Sequence, residues 1–206
     1  SGGITKVEFY HGEILLGESI SEPYNFTWQY GPDTVSTLQL SVKAYADNGS
    51  SALSEINITV NPELSSYFIE PHSIPGTIES EHYDFGGFNN AYWDEDALNR
   101  WEDFRVNEGV DIQLTLDEKG EYNIGYIEAN EFFKYTVFVD STGYYSVNFR
   151  IASNDGGGQL NIFANDTNVT ETVSIPSTGG WQNWDDFEIN EILLFQGEQT
   201  LTFNVI

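Results

Sequence analysis

The feature that most constrains the fold is an alternation of apolar and polar residues along the chain. Two series show it clearly: Tyr145, Val147, Phe149 and Ile151, and then Leu201, Phe203 and Val205. Because successive side chains of a β-strand point to opposite faces of a sheet, a period of two predicts strands with one buried face. The same pattern recurs in KVEFY, YNFTW, TLQLSVKAYA, INITV, VDIQLTL, KYTVFV and QLNIFA, each bounded by Gly, Pro, Asn or Asp.

No window of about a dozen residues carries the apolar stripe of an amphipathic helix. We therefore predict an all-β chain with two β-sandwich domains, because a sandwich buries one face of each of many short strands. The sequence contains no cysteine, which excludes disulfide bonds, zinc–thiolate sites and a thiol nucleophile. No apolar run approaches the roughly 18 residues of a membrane span, so membrane insertion is not expected.

The chain carries 33 Asp plus Glu residues against 7 Lys plus Arg residues, which gives a formal net charge of -26. This charge repels nucleic acids and anionic membranes, so neither is an expected partner. An aromatic content of 15% is too high for a disordered acidic tail, so the charge is expected on the surface of a folded protein. Such a surface suits a saline or extracellular setting, and clustered carboxylates favour calcium.

Between Val60 and Ile78 the alternation stops, in a segment that holds three of the six prolines, NPELSSYFIEPHSIPGT. We interpret residues 63–73 as a linker. It separates a first β unit, residues 1–62, from a larger one, residues 74–206.

In the first unit, KVEFYHGEILLGESISEPYNFTWQY is followed by LQLSVKAYADNGSSALSEINITV. This order resembles the bacterial immunoglobulin-like domains that occur in secreted polysaccharide-degrading enzymes. The resemblance implies an immunoglobulin-like fold. Four or five strands are visible, against about seven in a complete domain, so we expect the opening strands of the domain to be missing.

The second unit contains, in order, IPGTIESEHYDFGG, EGVDIQL, YNIGYIEANEFFKYTVFV, YYSVNFRIAS, VSIPSTGGWQNW and GEQTLTFNVI. Together these segments resemble a family 6 carbohydrate-binding module over about residues 74–206. The resemblance implies a jelly-roll β-sandwich that binds polysaccharide without cleaving it. Multimodular glycoside hydrolases such as agarases carry modules of this kind. The family's last strand is expected to lie beyond Ile206.

Sugars present flat apolar C–H faces ringed by hydroxyl groups, so a binding site needs exposed aromatic rings with polar groups beside them. In the family, a Tyr from the N-x-G-Y-I segment and a Trp from the G-G-W segment hold a sugar ring between them. The resemblance assigns these roles to Tyr126 and Trp181. The alternative for Trp181 is a core position, since its parity matches Phe187 and Ile189. Trp184 has the opposite parity, and we interpret it as a packing residue.

The loop FNNAYWDEDALNRWEDFRVNEG, residues 88–109, is rich in aromatic and polar groups, as loops that set binding specificity are. Marine relatives of the family have a similar loop beside the cleft. The resemblance therefore adds Trp93, Asn99 and Arg100 to the candidate carbohydrate-binding residues. For any single residue of this loop, the alternative is a structural anchor.

Glu79 and Glu81, in the segment IESE, are predicted to alternate onto one face of a strand. Two such carboxylates can form an acid–base pair, a calcium site or surface charge. In the family, the equivalent glutamates hold a structural calcium ion with backbone oxygens and an acidic residue of the final strand. Glu79 and Glu81 are therefore the expected metal ligands, with calcium as the cofactor.

The predicted function is noncatalytic polysaccharide binding that targets a covalently linked glycoside hydrolase to its glycan, in a secreted or cell-surface protein. An algal polysaccharide such as agar or laminarin is the favoured glycan, with xylan and cellulose as alternatives. One alternative is a cell-surface adhesion protein built from the same modules. Another is a glycosidase that uses an acidic pair in this chain, either Glu79 and Glu81 or Asp94 and Glu95.

Overall fold

The computed structural model of the chain describes residues 3–27, 36–60, 63–96 and 99–206. The chain divides into two compact units, Ser1–Pro62 and Glu63–Ile206. Apart from one 3-10 turn, the regular secondary structure of the described residues is all strand, which confirms the all-β class predicted from the alternation. None of the described helices is long and apolar enough to cross a membrane.

The first unit is an antiparallel sheet with the strand order β2-β1-β3-β4. Its strands are β1 (Ile4–His11), β2 (Ile14–Ser19), β3 (Ser36–Ala46) and β4 (Ser51–Val60). The predicted strand YNFTW does not form over its described part, Tyr24–Thr27, and its last residue lies outside the described residues. Phe26 instead stacks on Phe9 of β1, with ring centroids 5.7 Å apart.

The second unit is a jelly-roll sandwich whose largest sheet has the strand order β12-β11-β15-β9-β5, with β13 beside β11 and β6 beside β9. Two further pairs, β10 with β14 and β7 with β8, complete it. Its strands are β5 (His72–Ile74), β6 (Tyr92–Trp93), β7 (Ile112–Leu114), β8 (Tyr122–Ile124), β9 (Phe132–Val139), β10 (Gly143–Ile151), β11 (Gln159–Ala164), β12 (Thr167–Asn168), β13 (Val173–Ser174), β14 (Asp185–Leu194) and β15 (Gly197–Val205).

The core of the second unit lies between the large sheet and the β10–β14 pair. Alternate residues of β9, among them Phe133 and Val137, are buried, as are Ile192 and Leu194 of β14. The two layers meet edge to face where Phe149 of β10 packs on Phe203 of β15, and the two residues belong to the two series that predicted the strands. This packing leaves the loops at the strand ends free to carry function.

Residues 63–73 were predicted to be a linker, but in the structure they pack onto the second unit. Ser65 exchanges two backbone hydrogen bonds with Phe85, and the ring of Tyr67 stacks on His82 with centroids 4.3 Å apart. The segment then enters β5, which pairs with β9 in parallel. The ring contacts of Tyr67 with His82 and Phe85 explain the difference, because they stabilise the packed segment despite its prolines.

Candidate functional site

Tyr126, in the loop between β8 and β9, is 60% exposed. Its φ of 49° lies in the left-handed region, which a residue with a bulky side chain rarely adopts. Its ring packs against Trp101, with centroids 5.0 Å apart and planes 30° apart. Trp101 in turn lies on Gly125, where a Cβ atom would come within 2.9 Å of the indole. The glycine therefore allows the indole to support an exposed tyrosine.

Arg100 also packs against the ring of Tyr126. Its guanidinium carbon lies 4.9 Å from the centroid of Tyr126. The guanidinium forms ion pairs with Asp96 at 2.5 Å and with Asp111 at 3.2 Å, and the backbone N–H of Arg100 donates to Asp111. Both carboxylates are therefore committed to holding Arg100 beside the ring.

A cavity of about 190 Å³ opens next to Tyr126. Its lining residues are Asp94, Glu95, Asp96, Arg100, Asp111, Tyr126, Glu128 and Glu131. Asp94 and Glu131 are 7% and 2% exposed. Burial, followed by repulsion from neighbouring carboxylates, raises the pKa of Asp94 to about 6 and the pKa of Glu131 to about 7. The cavity thus combines an aromatic rim with buried groups that can accept or donate hydrogen bonds.

The structure assigns Asn99, predicted as a binding residue, to the support of this loop. Its side chain is buried. The amide donates to the Phe104 carbonyl at 2.8 Å, and its oxygen accepts from the N–H groups of Glu102 and Ile112 at 3.0 and 3.4 Å. Because backbone groups engage both ends of the amide, direct contact with a sugar is not supported for this residue.

Trp93, another predicted binding residue, is not among the residues that line the cavity. It is half-buried, lies opposite Phe132 in the pairing of β6 with β9, and packs against Phe88 with centroids 4.5 Å apart. Its neighbour Tyr92 points into the core instead. Trp93 therefore belongs to the outer face of the large sheet. Of the three candidates in loop 88–109, which are Trp93, Asn99 and Arg100, Arg100 is the one that lies beside Tyr126.

Trp181 lies in the turn that precedes β14 and is 69% exposed. Gly179 has a φ of 78°, and a Cβ atom on Gly180 would come within 2.8 Å of the Asn183 amide. The positive φ favours glycine at position 179, and the turn takes Trp181 out of the alternation of β14. The core alternative for Trp181 is wrong.

Tyr126 and Trp181 lie at the same end of the second unit. Backbone hydrogen bonds connect their loops in series, from Asn130 to Val205, from Ile206 to Gln159, from Ile175 to Gly158 and from Thr178 to Ser153. Two exposed rings at one end of a sandwich, beside a polar cavity, can contact the flat faces and the hydroxyl groups of a sugar chain.

Gln182, which the sequence did not single out, fixes the turn that carries Trp181. Its side-chain oxygen accepts from the indole N–H of Trp184 and from the backbone N–H of Leu116, both at 3.0 Å. Trp184 is half-buried. The bond to Leu116 connects the turn to the β7–β8 hairpin, whose other end leads to Tyr126.

Residues 101–206, slightly more than half of the chain, match the carbohydrate binding module (family 6), and residues 1–54 match the bacterial Ig domain. The chain belongs to carbohydrate-binding module family 6. Modules of this family are noncatalytic, and the exposed rings and the cavity lie within or directly beside the matched residues.

Similar proteins include the alpha subunit of clotting factor G from Tachypleus tridentatus, which is 29% identical over 186 residues, 89% of this chain and 25% of the relative. The chain thus spans about a quarter of the length of that relative. A family 6 module of lichenase 5A from Cellvibrio mixtus, solved with cellotriose, is 31% identical with a TM-score of 0.43, over 47% of this chain and 76% of the other. A Clostridium stercorarium module solved with cellobiose is 16% identical, with a TM-score of 0.50, over 67% and 89%.

In this family 6 module, the segment that contains Glu79 and Glu81 is not the predicted strand. Ser80–His82 form a 3-10 turn closed by a hydrogen bond from the His82 N–H to the Glu79 carbonyl, and the Tyr135 hydroxyl donates to the Ser80 carbonyl. These bonds replace strand pairing, so the two carboxylates do not alternate along a strand face.

The surroundings of Glu81 nevertheless suit a hard cation. Glu81 is buried, and its pKa is raised first by burial and further by the charge of Glu79. Over the described parts of the chain, neither carboxylate forms an ion pair with a basic side chain. No three acidic or histidine side chains come together there to hold a metal, so a calcium ion would also need backbone oxygens.

Sequence reasoning missed three further residues of the site: Trp101, Asp111 and Glu131. Trp101 was visible as one aromatic residue among several in the loop. In a chain with 33 acidic residues, the two buried carboxylates carry no local signal that separates them from surface charge. Gly125, one residue before the exposed tyrosine, is the signal that could have suggested a ring packed against the backbone.

Proposed function

We propose that this chain binds an uncharged, hydroxyl-rich polysaccharide through the end of the second unit that carries Tyr126 and Trp181. The observation that carries the proposal is Tyr126 itself. An apolar ring held in the open by Trp101 and Arg100, at the rim of a hydrogen-bonding cavity, is costly for a protein that binds nothing there. Membership of a carbohydrate-binding family supports the same function.

The charge of the site supports an uncharged glycan. Six carboxyl residues line the cavity, and its one basic residue, Arg100, is already paired with Asp96 and Asp111. A sulfated or uronic acid polymer would bring further negative charge to this surface, and no unpaired cation of the cavity would meet it. Agar, laminarin, xylan and cellulose remain candidates because their sugar rings are neutral.

We further propose that binding serves to hold a linked catalytic domain at its glycan, in a protein that is secreted or displayed at the cell surface. Targeting needs only modest affinity, since tethering raises the local concentration of the enzyme. A site with two rings and a few hydrogen bonds is expected to contribute about 4 to 8 kcal/mol, which corresponds to millimolar to micromolar dissociation constants.

The experiment is a glycan panel of agarose, laminarin, xylan and cellulose, probed with the full chain and with Tyr126→Ala and Trp181→Ala. We expect one uncharged glycan to bind and each substitution to weaken binding about tenfold or more. Tyr144→Ala is the matched control, because Tyr144 is 74% exposed but stands at the other end of β10 from the Trp181 turn. Binding unaffected by both substitutions, or release of reducing ends by the chain alone, would contradict the proposal.

We also propose that Glu79 and Glu81 bind a structural calcium ion. Calcium binding to the folded state alone raises stability, by about 2.7 kcal/mol when its concentration is a hundred times the dissociation constant. Calcium should therefore raise the unfolding midpoint of the wild type, and Glu81→Gln should remove the effect, whereas Glu171→Gln on the surface should keep it. A midpoint indifferent to both calcium and chelator would exclude the site.

A further inference from the structure

Two of the carboxyl residues that line the cavity differ from the others because they are both buried and left without a counter-charge. These are Asp94, directly after β6, and Glu131, directly before β9. Asp94 Oδ1 accepts from the Asp96 N–H at 3.0 Å, and Glu131 Oε1 accepts from the Glu95 N–H at 3.3 Å. The Glu131 carboxyl also accepts a hydrogen bond from the backbone of Glu128.

The charged groups that face this pair come from every segment around the cavity. Asp111, Asp96 and Glu128 repel Asp94, whereas Asp94 and then Glu128 repel Glu131. Arg100 is the cation nearest to the cavity, but it forms its ion pairs with Asp96 and Asp111. Neither Asp94 nor Glu131 has a basic partner among the described residues, so burial and mutual repulsion both oppose the ionisation of the second carboxyl.

A sugar seated against Tyr126 would cover this pair and remove water from it. Covering two carboxylates costs more free energy than covering a carboxylate and a neutral carboxyl, because an ionised group loses more hydration. A neutral carboxyl also supplies an O–H donor, which can bond to a ring or glycosidic oxygen that has no proton of its own. Binding is therefore coupled to retention of a proton.

We propose that Asp94 and Glu131 act as one proton-holding pair at the floor of the glycan site, so that the chain binds its glycan in mildly acidic solution and releases it as the solution becomes alkaline. This inference rests on the proposed function, since it requires a sugar at Tyr126. It adds two specificity-determining residues and a pH response that the exposed rings alone would not give.

The sign of the response follows from the pKa values. Burial and repulsion raise the pKa of Asp94 to about 6 and that of Glu131 to about 7, and the two groups titrate as a coupled pair. At pH 5.5 the pair holds at least one proton, and at pH 8.5 it holds none. Since covering the pair raises these pKa values further, the affinity must fall as the pH rises between these limits, by about tenfold for each pKa unit of coupling.

The test is isothermal titration calorimetry of the full chain at pH 5.5, 7.0 and 8.5 with laminarin, agaro-oligosaccharides and xylo-oligosaccharides as probes. We expect a probe that binds at pH 5.5 to bind about tenfold more weakly at pH 8.5. Titrations at pH 7.0 in buffers of different ionisation enthalpy should also show net proton uptake. If no probe binds at pH 5.5, the proposed function fails and the inference fails with it. If a probe binds equally at all three pH values without proton uptake, the inference alone is wrong.

Two variants assign the response to the pair. Glu131→Gln and Asp94→Asn keep the shape and a permanent donor, so both should bind at pH 8.5 as well as at pH 5.5. Glu188→Gln, an exposed carboxyl of β14, is the control and should keep the response of the wild type. If one variant does not fold, as judged by circular dichroism, the other variant and the pH dependence of wild-type affinity still test the assignment. A response that both folded variants retain in full would overturn the assignment.

Discussion

Glu8 in the first unit and the Asp94–Glu131 pair in the second are all buried, yet their surroundings are opposite. Glu8 is surrounded by donors, which are the ammonium group of Lys6 at 2.7 Å and the hydroxyls of Tyr10 and Tyr45 at 2.5 and 2.6 Å. These hydrogen bonds, that of Lys6 first, lower the pKa of Glu8 to about 2. The carboxyls of the pair in the second unit accept from backbone N–H groups and face other carboxylates, and burial raises their pKa values.

The difference shows how a buried carboxyl that supports the fold can be distinguished from one that is available to a ligand. Glu8 has its partners within the sheet, so its charge contributes to folding and has no need of further contact. Asp94 and Glu131 line an open cavity with unused hydrogen-bonding capacity, which a hydroxyl-rich molecule can satisfy. The comparison predicts that removing engaged groups lowers stability, whereas neutralising the pair raises it.

The largest loss of stability is expected when the hydrogen-bonded side chain of Asn99, in the second unit, is removed. Asn99→Ala removes one donor and one acceptor that together serve three backbone groups, and we expect the free energy of unfolding to fall by about 2 to 3 kcal/mol. Chemical denaturation of the full chain measures this change. Asn107→Ala, on the exposed part of the same loop, should have almost no effect, and equal effects of the two substitutions would contradict the role of Asn99.

At Glu8 the effect should be smaller and should depend on pH. Glu8→Gln removes the charge that its donors stabilise, and we expect the unfolding midpoint of the first unit to fall by about 5 °C at pH 7. A lowered pKa means that the folded state binds fewer protons than the unfolded state between about pH 2 and pH 4.5. The stabilisation is therefore complete above this window and lost as the pH falls through it.

Scanning calorimetry, with hydrogen exchange to assign the transition to the first unit, measures this difference. The wild type and Glu8→Gln should converge towards pH 2. Glu55→Gln, an exposed carboxyl of the neighbouring β4, serves as the control. A difference between the wild type and Glu8→Gln that stays constant from pH 2 to pH 7 would show that the charge of Glu8 is not what its partners stabilise.

Alternation in the sequence predicted the strands that carry the core, because a strand imposes its period of two locally. It did not predict the short pieces, such as β6, or the turn at Ser80–His82, whose conformations depend on hydrogen bonds to distant residues. The sequence predicted that the proline-rich segment 63–73 is a linker, whereas the structure packs it onto the second unit. The contacts of Tyr67 with His82 and Phe85 that hold it there are tertiary. Local composition carries no information about such contacts.

The site shows the same limit. Tyr126 and Trp181 could be selected from family resemblance, and the glycines beside them carry a local signal. The burial of Asp94 and Glu131 depends on how three loops close over them, so in the sequence they resemble any other acidic residue. Asn99 has an amide side chain of the kind that binds sugars, but backbone groups occupy that amide. No pattern of neighbouring residues in the sequence reveals these hydrogen bonds.

Neutralising the pair should change stability in the direction opposite to the change at Glu8. Raised pKa values mean that the folded state binds more protons than the unfolded state between about pH 4 and pH 7, so the free energy of unfolding falls as the pH rises through this window. At pH 8 we expect Glu131→Gln to be more stable than the wild type by about 1 kcal/mol after allowance for solvent screening. Denaturation at pH 4 and pH 8 measures this, and a variant less stable than the wild type at pH 8 would contradict it.

The smallest effect is expected at Gln182, an engaged acceptor that holds a ring in place and is not expected to contact the glycan. Gln182→Ala releases the Trp184 indole and the Leu116 N–H. The turn then samples more conformations, and glycan affinity should fall by about threefold to fivefold, close to 1 kcal/mol, in calorimetric titrations. Because Gln182 only positions the turn that carries Trp181, the loss of affinity should be the same at pH 5.5 and at pH 8.5. The loss of affinity that depends on Asp94 and Glu131 should instead change with pH. A loss confined to one pH would mean that Gln182 belongs with the proton-holding pair, and the distinction between engaged and available groups would then not hold at this turn.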